Sequence, residues 1–180
     1  GQERKTRKSQ KLRCKTAKAP RELVGTAGFM MAKDKWAKLG CLSCLEINST
    51  FYRLPTEKTV AGWNTLPSSV SFAPKASKYI THIKRLKDIA APWKLFQRSI
   101  AGLLPRTAAI LVQLPPSFVN NDVNRGRVET LQRLARGGPP LAVECTSAGP
   151  RSAVSLVVVE PLRSTRLAWR ARQLGLGWWW

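Results

Sequence analysis

The sequence predicts an α/β domain in which about five parallel strands alternate with helices. Short apolar runs of strand length recur through the middle of the chain, and the segments between them repeat apolar residues at helical steps. Glycines, prolines and capping residues punctuate the joints. Strands and helices alternating at short spacing build βαβ units, which close either as a barrel or as a doubly wound sheet. With 180 residues, 43% of them hydrophobic, the chain can bury one core. It is too short for a complete eight-unit barrel of about 250 residues.

Taken in order, "ELVGTAG" is a short apolar strand ending in glycine, "MAKDKWAKLG" is a helix-length segment closed by Gly40, and "CLEINST" is the second strand. In "TEKTVAGWNTLP", Thr56 is a capping residue, and Val60, Trp63 and Leu66 follow at three-residue steps. "SVSFAPKAS" is the third strand. From Ile89 to Leu104 runs the clearest helix, because Ile89, Trp93, Phe96, Ile100 and Leu103 step by four, three, four and three. Pro92 is tolerated there only in the first turn. "AAILVQLPP" has the near-uniform apolar character of a strand covered on both faces. "NDVNRGRVETLQRLARGG" gives a fourth helix with Asp122 or Asn124 as cap, Val128, Leu131 and Ala135 inside, and Gly137 at its end. "PPLAVEC" is the fifth strand. "SLVVVE" also has strand character, but "TSAGPRSA" before it is too short for a covering helix.

Charge sets the expected partner. Thirty-one Lys and Arg stand against 10 Asp and Glu, a formal net charge of +21 and a sequence pI of about 11.0. Such an excess repels itself unless a polyanion neutralises it, and RNA is the expected polyanion. Residues 1–22, which include Arg4, Lys5, Arg7 and Lys8, read as a disordered basic arm. Within the folded part, "KASKYITHIKRLKD" crowds Lys75, Lys78, Lys84, Arg85 and Lys87 around His82, with the Tyr79 ring available for stacking.

Cys14, Cys41, Cys44 and Cys145 are too scattered for a secreted disulfide framework, so a reducing compartment is expected, the cytoplasm or an organelle matrix such as that of mitochondria. "CLSC" has the spacing of a metal knuckle, yet no second pair follows and His82 is the only histidine. Neither a metal site nor a cofactor is expected. No apolar run reaches the 18 or so residues of a membrane span, and no membrane partner is expected.

The strands carry a polar pattern. In "CLEINST", Leu45 and Ile47 share one face, while Glu46, Asn48 and Thr50 occupy the alternate positions. The same rule groups Ser71, Ala73 and Lys75, then Leu111 and Gln113, then Ala142 and Glu144. Ligands of parallel α/β sheets sit at the carboxyl ends of the strands, where Glu46, Asn48, Lys75, Gln113 and Glu144 converge. Two carboxylates and an ammonium there suit general acid, general base and electrostatic clamp, or else a buried ion-pair network.

"GTAGF", "LEINSTFYRLPTEKTVAGW", "FAPKASKYITHIKRLKD" and "LVQLPPSF", in this order, resemble the YecE-like family, a domain family of unknown function. The resemblance implies a TIM-type fold, here a partial (β/α)8 barrel over residues 23–145, truncated after about the fifth strand and followed by an atypical tail at 146–180. It places the family pattern on Thr26 and Gly28, on Glu46, Asn48, Phe51 and Tyr52, on Lys75, Tyr79, Thr81 and His82, and on Gln113, Pro115 and Pro116. A partial barrel leaves strand edges that a protein partner or self-association must cover. The function expected is an RNA- or polyanion-binding structural component of a ribonucleoprotein particle such as an organellar ribosome. The alternative is an enzyme of unknown reaction acting on a phosphorylated or nucleotide-like ligand at the strand ends, with Glu46 or Glu144 as base and Lys75 as clamp.

Overall fold

Parallel pairing runs through the first five strands of the computed structural model, which describes residues 23–28, 42–146 and 154–159. Strand β1 (Gly25–Ala27) pairs with β2 (Cys44–Ile47), and β2 pairs with β3 (Ser71–Pro74). Bridges from Phe72 to Thr107 and from Lys75 to Leu111 carry the parallel pairing to β4 (Ile110–Leu114), which pairs with β5 (Leu141–Thr146). Strand order thus follows chain order. The last described strand, β6 (Val154–Val159), turns back antiparallel on β5. Its link to β5 is shorter than the dozen or so residues that a parallel crossover needs.

Helical elements fill the connections: α1 (Ser49–Tyr52), α2 (Glu57–Asn64), a π-helical turn (Tyr79–Ile83), α3 (Ala90–Ser99), a 3-10 turn (Ala101–Arg106) and α4 (Asp122–Leu134). The fold is therefore mixed α/β, with parallel strands alternating with helices. The helix predicted at "MAKDKWAKLG", the basic arm and most of the tail lie outside the described residues.

Two clusters make the core. Leu45, Ile47 and Phe72 of the sheet meet Val60, Trp63 and Leu66 beneath α2. Ile110, Val112, Leu114, Leu141 and Val143 meet Trp93 and Phe96 of α3, Ile100 at its end and Leu131 of α4. Each large side chain removed from water there contributes about 1.5–3 kcal/mol. The apolar steps predicted for Ile89 to Leu103 all end buried.

Three local expectations are corrected. Strand β2 stops at Ile47, so Thr50 lies in α1 rather than on a continued strand. The segment expected as one helix to Leu104 is α only to Ser99 and then tightens to 3-10 over Ala101–Arg106, with Pro105 near the end of that turn. Pro92 does sit in the first turn of α3. The cap of α4 is neither Asp122 nor Asn124 but Asn121, whose side chain accepts from the Asn124 N–H at 2.9 Å. Thr56 caps α2 as expected, accepting from the Thr59 N–H at 3.2 Å.

Arg106 closes the joint between α2 and β3. Its guanidinium donates to the carbonyls of Val70 at 2.8 Å, Asn64 at 3.3 Å and Pro67, and lies 4.8 Å from the centre of the Phe72 ring. A planar fork of donors suits three carbonyls that an ammonium would not span. Arg106→Met is expected to lower stability by about 1–3 kcal/mol, with Arg106→Lys recovering little of it. Chemical denaturation of the three chains checks this, and equal stability of the Lys and Arg forms would refute the fork argument.

Candidate functional site

The strand register decides which side chains meet. Glu46 pairs with Ala73, Lys75 with Leu111, Leu111 with Ala142, and Gln113 with Glu144. Residues opposite each other on neighbouring strands point to the same face, so the alternation read from the sequence joins into one surface across four strands. Small residues, Ser71, Ala73 and Ala142, line its amino side. Glu46, Lys75, Gln113 and Glu144 stand at its carboxyl side, and Glu46 and Lys75 share that face.

Lys75 is the centre of the cluster. It is only 7% exposed, and its ammonium lies 5.2 Å from the centre of the Phe51 ring. Among the described residues the one ion pair joins Arg125 to Asp122, so Lys75 is not clasped by either carboxylate. The expected buried ion-pair network is absent at contact range. The backbone of Lys75 is nonetheless fixed: the Thr50 hydroxyl, fully buried, lies 2.7 Å from the carbonyl oxygens of both Ile47 and Lys75 and shares its single hydrogen between them. Thr50, lost from the strand pattern, becomes the pin between β2 and β3.

Glu46 and Glu144 form the acidic side, while Asn48, expected on the same face, lies past the end of β2 in helical backbone, where the alternation no longer holds. Burial pushes the Glu46 carboxyl above its usual range, the Glu144 charge pushes the same way, and Lys75 and a hydrogen bond from Asn48 oppose. Asn48 Oδ1 is buried without a hydrogen-bond partner. Gln113 Nε2 donates to Glu144 Oε1 at 3.3 Å.

The π-helical turn supplies the basic side. Burial, then the charges of Lys78 and Lys75, hold the His82 imidazole below its usual range and therefore neutral near pH 7. Its Nδ1 lies 2.9 Å from the Thr81 hydroxyl, and its ring meets Phe51 edge to face at 5.1 Å. Tyr79 is 47% exposed with the Lys84 ammonium 5.9 Å from its ring centre, and Tyr52, edge to face with Phe51, is 78% exposed. After the turn, Arg85, Leu86 and Asp88 all adopt positive φ, 49°, 60° and 49°. Such conformations cost about 1–3 kcal/mol each, and Leu86 is held in its own by burial.

Not every expected site residue joins the cluster. Thr26 pairs with Leu45, on the opposite face from Glu46, and its hydroxyl donates to the Gly28 carbonyl at 2.9 Å. Lys78 and Lys87 are exposed, Lys84 is half-buried, and Arg85 donates to the Ser117 carbonyl. Arg4, Lys5, Arg7 and Lys8 lie outside the described residues. Cys44 is a core residue whose thiol burial pushes up to about 11, and no group of three or more metal-ligating side chains occurs among the described residues. Nor is any described helix long and apolar enough to cross a membrane.

Residues 37–149 match the family described as "Protein of unknown function DUF72". No curated protein shows a match. Among solved structures, a DUF72 family protein from Enterococcus faecalis V583 is similar with a TM-score of 0.62 at 19% identity, over 70% of this chain and 51% of that one. Another DUF72 family protein, from Thermotoga maritima MSB8, gives 0.57 at 24% identity, over 69% and 55%. The chain therefore spans about half the length of these relatives.

Glu46 sets a pH dependence. Its unfolded carboxyl titrates near 4.5 and its folded one higher, so the folded chain holds the proton more tightly. The stability this contributes is full below pH 4.5 and is lost as pH rises through the folded value. Glu46→Gln should melt above the unaltered chain at about pH 8 and converge with it below about pH 4. A lower melting temperature for the Gln chain at the higher pH would mean that attraction to Lys75 outweighs burial.

Proposed function

The chain belongs to the family of proteins of unknown function DUF72, and on that footing we propose that it binds a phosphorylated or nucleotide-like ligand at the carboxyl ends of the strands of a partial (β/α)8 barrel. The observation that carries this reading is the Lys75 ammonium, buried to 7% exposure with an aromatic ring beneath it and no ion pair. A buried charge is ordinarily paired, and a bound anion would supply the partner that no carboxylate in contact does. Lys78 raises the positive potential at the same place, as its effect on His82 records. Glu46 keeps its proton to higher pH than a free carboxyl and His82 gives its own up at lower pH, so the mouth also holds groups suited to proton transfer on a bound ligand.

A second reading rests on the net charge of +21. The exposed Lys78 and Lys87 with the half-exposed Tyr79 ring suit the phosphates and bases of single-stranded RNA, as in a structural component of a ribonucleoprotein particle. The two readings are compatible, since one phosphate of a chain can reach Lys75 while its neighbours meet the loop.

Titration of Lys75→Met with inorganic phosphate, alongside a thermal melt, tests the first. Affinity should fall at least about tenfold with the melting temperature unchanged or higher, because removing a buried charge that lacks a partner is not destabilising. Unaltered phosphate affinity in the Met chain would overturn it. For the second, RNA affinity should fall steeply between about 50 and 200 mM salt, with a shallower slope when residues 1–20 are deleted. Salt-independent binding would overturn that reading.

A further inference from the structure

We infer that the ligand of this mouth is a nucleotide, whose phosphate meets the Lys75 ammonium and whose base stacks on the ring of Tyr52. The inference rests on the phosphate reading above and deepens it by naming what else the ligand carries.

Helix α1 sets two adjacent aromatic rings to different tasks. Consecutive residues of a helix point about 100° apart, so burying Phe51 turns Tyr52 outward, and the two are 8% and 78% exposed. The rings stay in contact, edge to face, with centres 5.0 Å apart. Phe51 also has the His82 ring at 5.1 Å and the Lys75 ammonium at 5.2 Å from its centre. One buried ring therefore has both the cation without a carboxylate and the open ring as neighbours. The cation and the open ring can lie no farther apart than those two contacts allow, which is within the span of a mononucleotide from its phosphate to the far edge of its base.

A lone exposed tyrosine is ordinary on a protein surface. Tyr52 differs from that case in its anchorage, because the backbone of its short helix is tied to β2 and β3 through the Thr50 hydroxyl and its ring rests against Phe51. Tyr79, the other exposed ring of the mouth, is more covered at 47% exposure, and the Lys84 ammonium lies 5.9 Å from its centre. Tyr52 is thus the more open platform. A base stacks on such a ring whatever hydrogen-bonding edge it carries, since every base has a π-face. Ribose between phosphate and base lets the base turn onto Tyr52 while the phosphate stays at Lys75. An aromatic ring bonded directly to phosphate lacks that freedom.

Calorimetric titration of the full chain with adenosine 5′-monophosphate and with ribose 5-phosphate, which differ only in the base, tests this. The nucleotide should bind about tenfold or more tighter. Tyr52→Ala should remove that preference while leaving ribose 5-phosphate affinity within about threefold, and Tyr52→Phe should keep it, because the ring and not the hydroxyl carries the stacking. Equal affinities for the two esters on the unaltered chain, or a preference that survives in Tyr52→Ala, would overturn the inference and leave the phosphate reading standing. Failure of both esters and of inorganic phosphate to bind would overturn the two together. Phenyl phosphate binding as tightly as the nucleotide would overturn the nucleotide assignment. The comparison of esters on the unaltered chain needs no variant, so it decides the matter even if Tyr52→Ala folds poorly.

Discussion

Holding the Lys75 ammonium under the surface without a carboxylate against it is the constraint on which the rest of the site depends. Such a group is costly to bury, so its position must be imposed by structure that is stable for other reasons. The imposition comes from three directions. Parallel pairing ties β3 to β2 and, through the Lys75–Leu111 bridge, to β4. The Thr50 hydroxyl pins the Lys75 carbonyl from α1. Phe51, the next residue of α1, lies under the ammonium and also against the His82 ring. A four-residue helix immediately after a strand is thus the device that converts a sheet edge into a site.

Several costs fall in one region, although Trp93 Nε1, in the core, is also buried without a partner. Asn48 Oδ1 is buried without a partner, Glu46 is pushed toward its neutral form, and three residues after the π-helical turn hold positive φ. Dispersed over a protein, features of this kind are accidents of packing. Gathered at the carboxyl ends of parallel strands, they are what a preorganised site exhibits, with the apolar clusters beneath the helices supplying the offsetting stability.

Much of this was legible in the sequence, and for a definite reason. A period of two assigns Glu46, Lys75, Gln113 and Glu144 to one face of their strands without knowledge of the fold, and parallel order then aligns those faces. The same rule fails beyond Ile47, because it cannot say where a strand ends. Thr50 therefore reads as one more strand residue when it is a helical pin. Thr26 fails for a related reason: the family pattern includes it, but its pairing with Leu45 sends it to the other face. The guanidinium of Arg106 is invisible from sequence, since its three carbonyl acceptors lie 36 to 42 residues away along the chain. The 3-10 turn at Ala101–Arg106 keeps the apolar steps of a helix, so periodicity alone cannot separate it from α3.

A purely architectural polar layer makes a different demand on these side chains from a binding site. Architecture selects for mutual satisfaction, with each ammonium paired to a carboxylate and each amide using both its oxygen and its nitrogen. Here Gln113 Nε2 donates to Glu144, while the Lys75 ammonium has no carboxylate in contact and Asn48 Oδ1 has no hydrogen-bond partner. The remainder after internal pairing is one cation and one acceptor, of opposite character and at adjacent strand ends. A network optimised only for the fold would cancel that remainder, and its persistence is what supports the proposed ligand site.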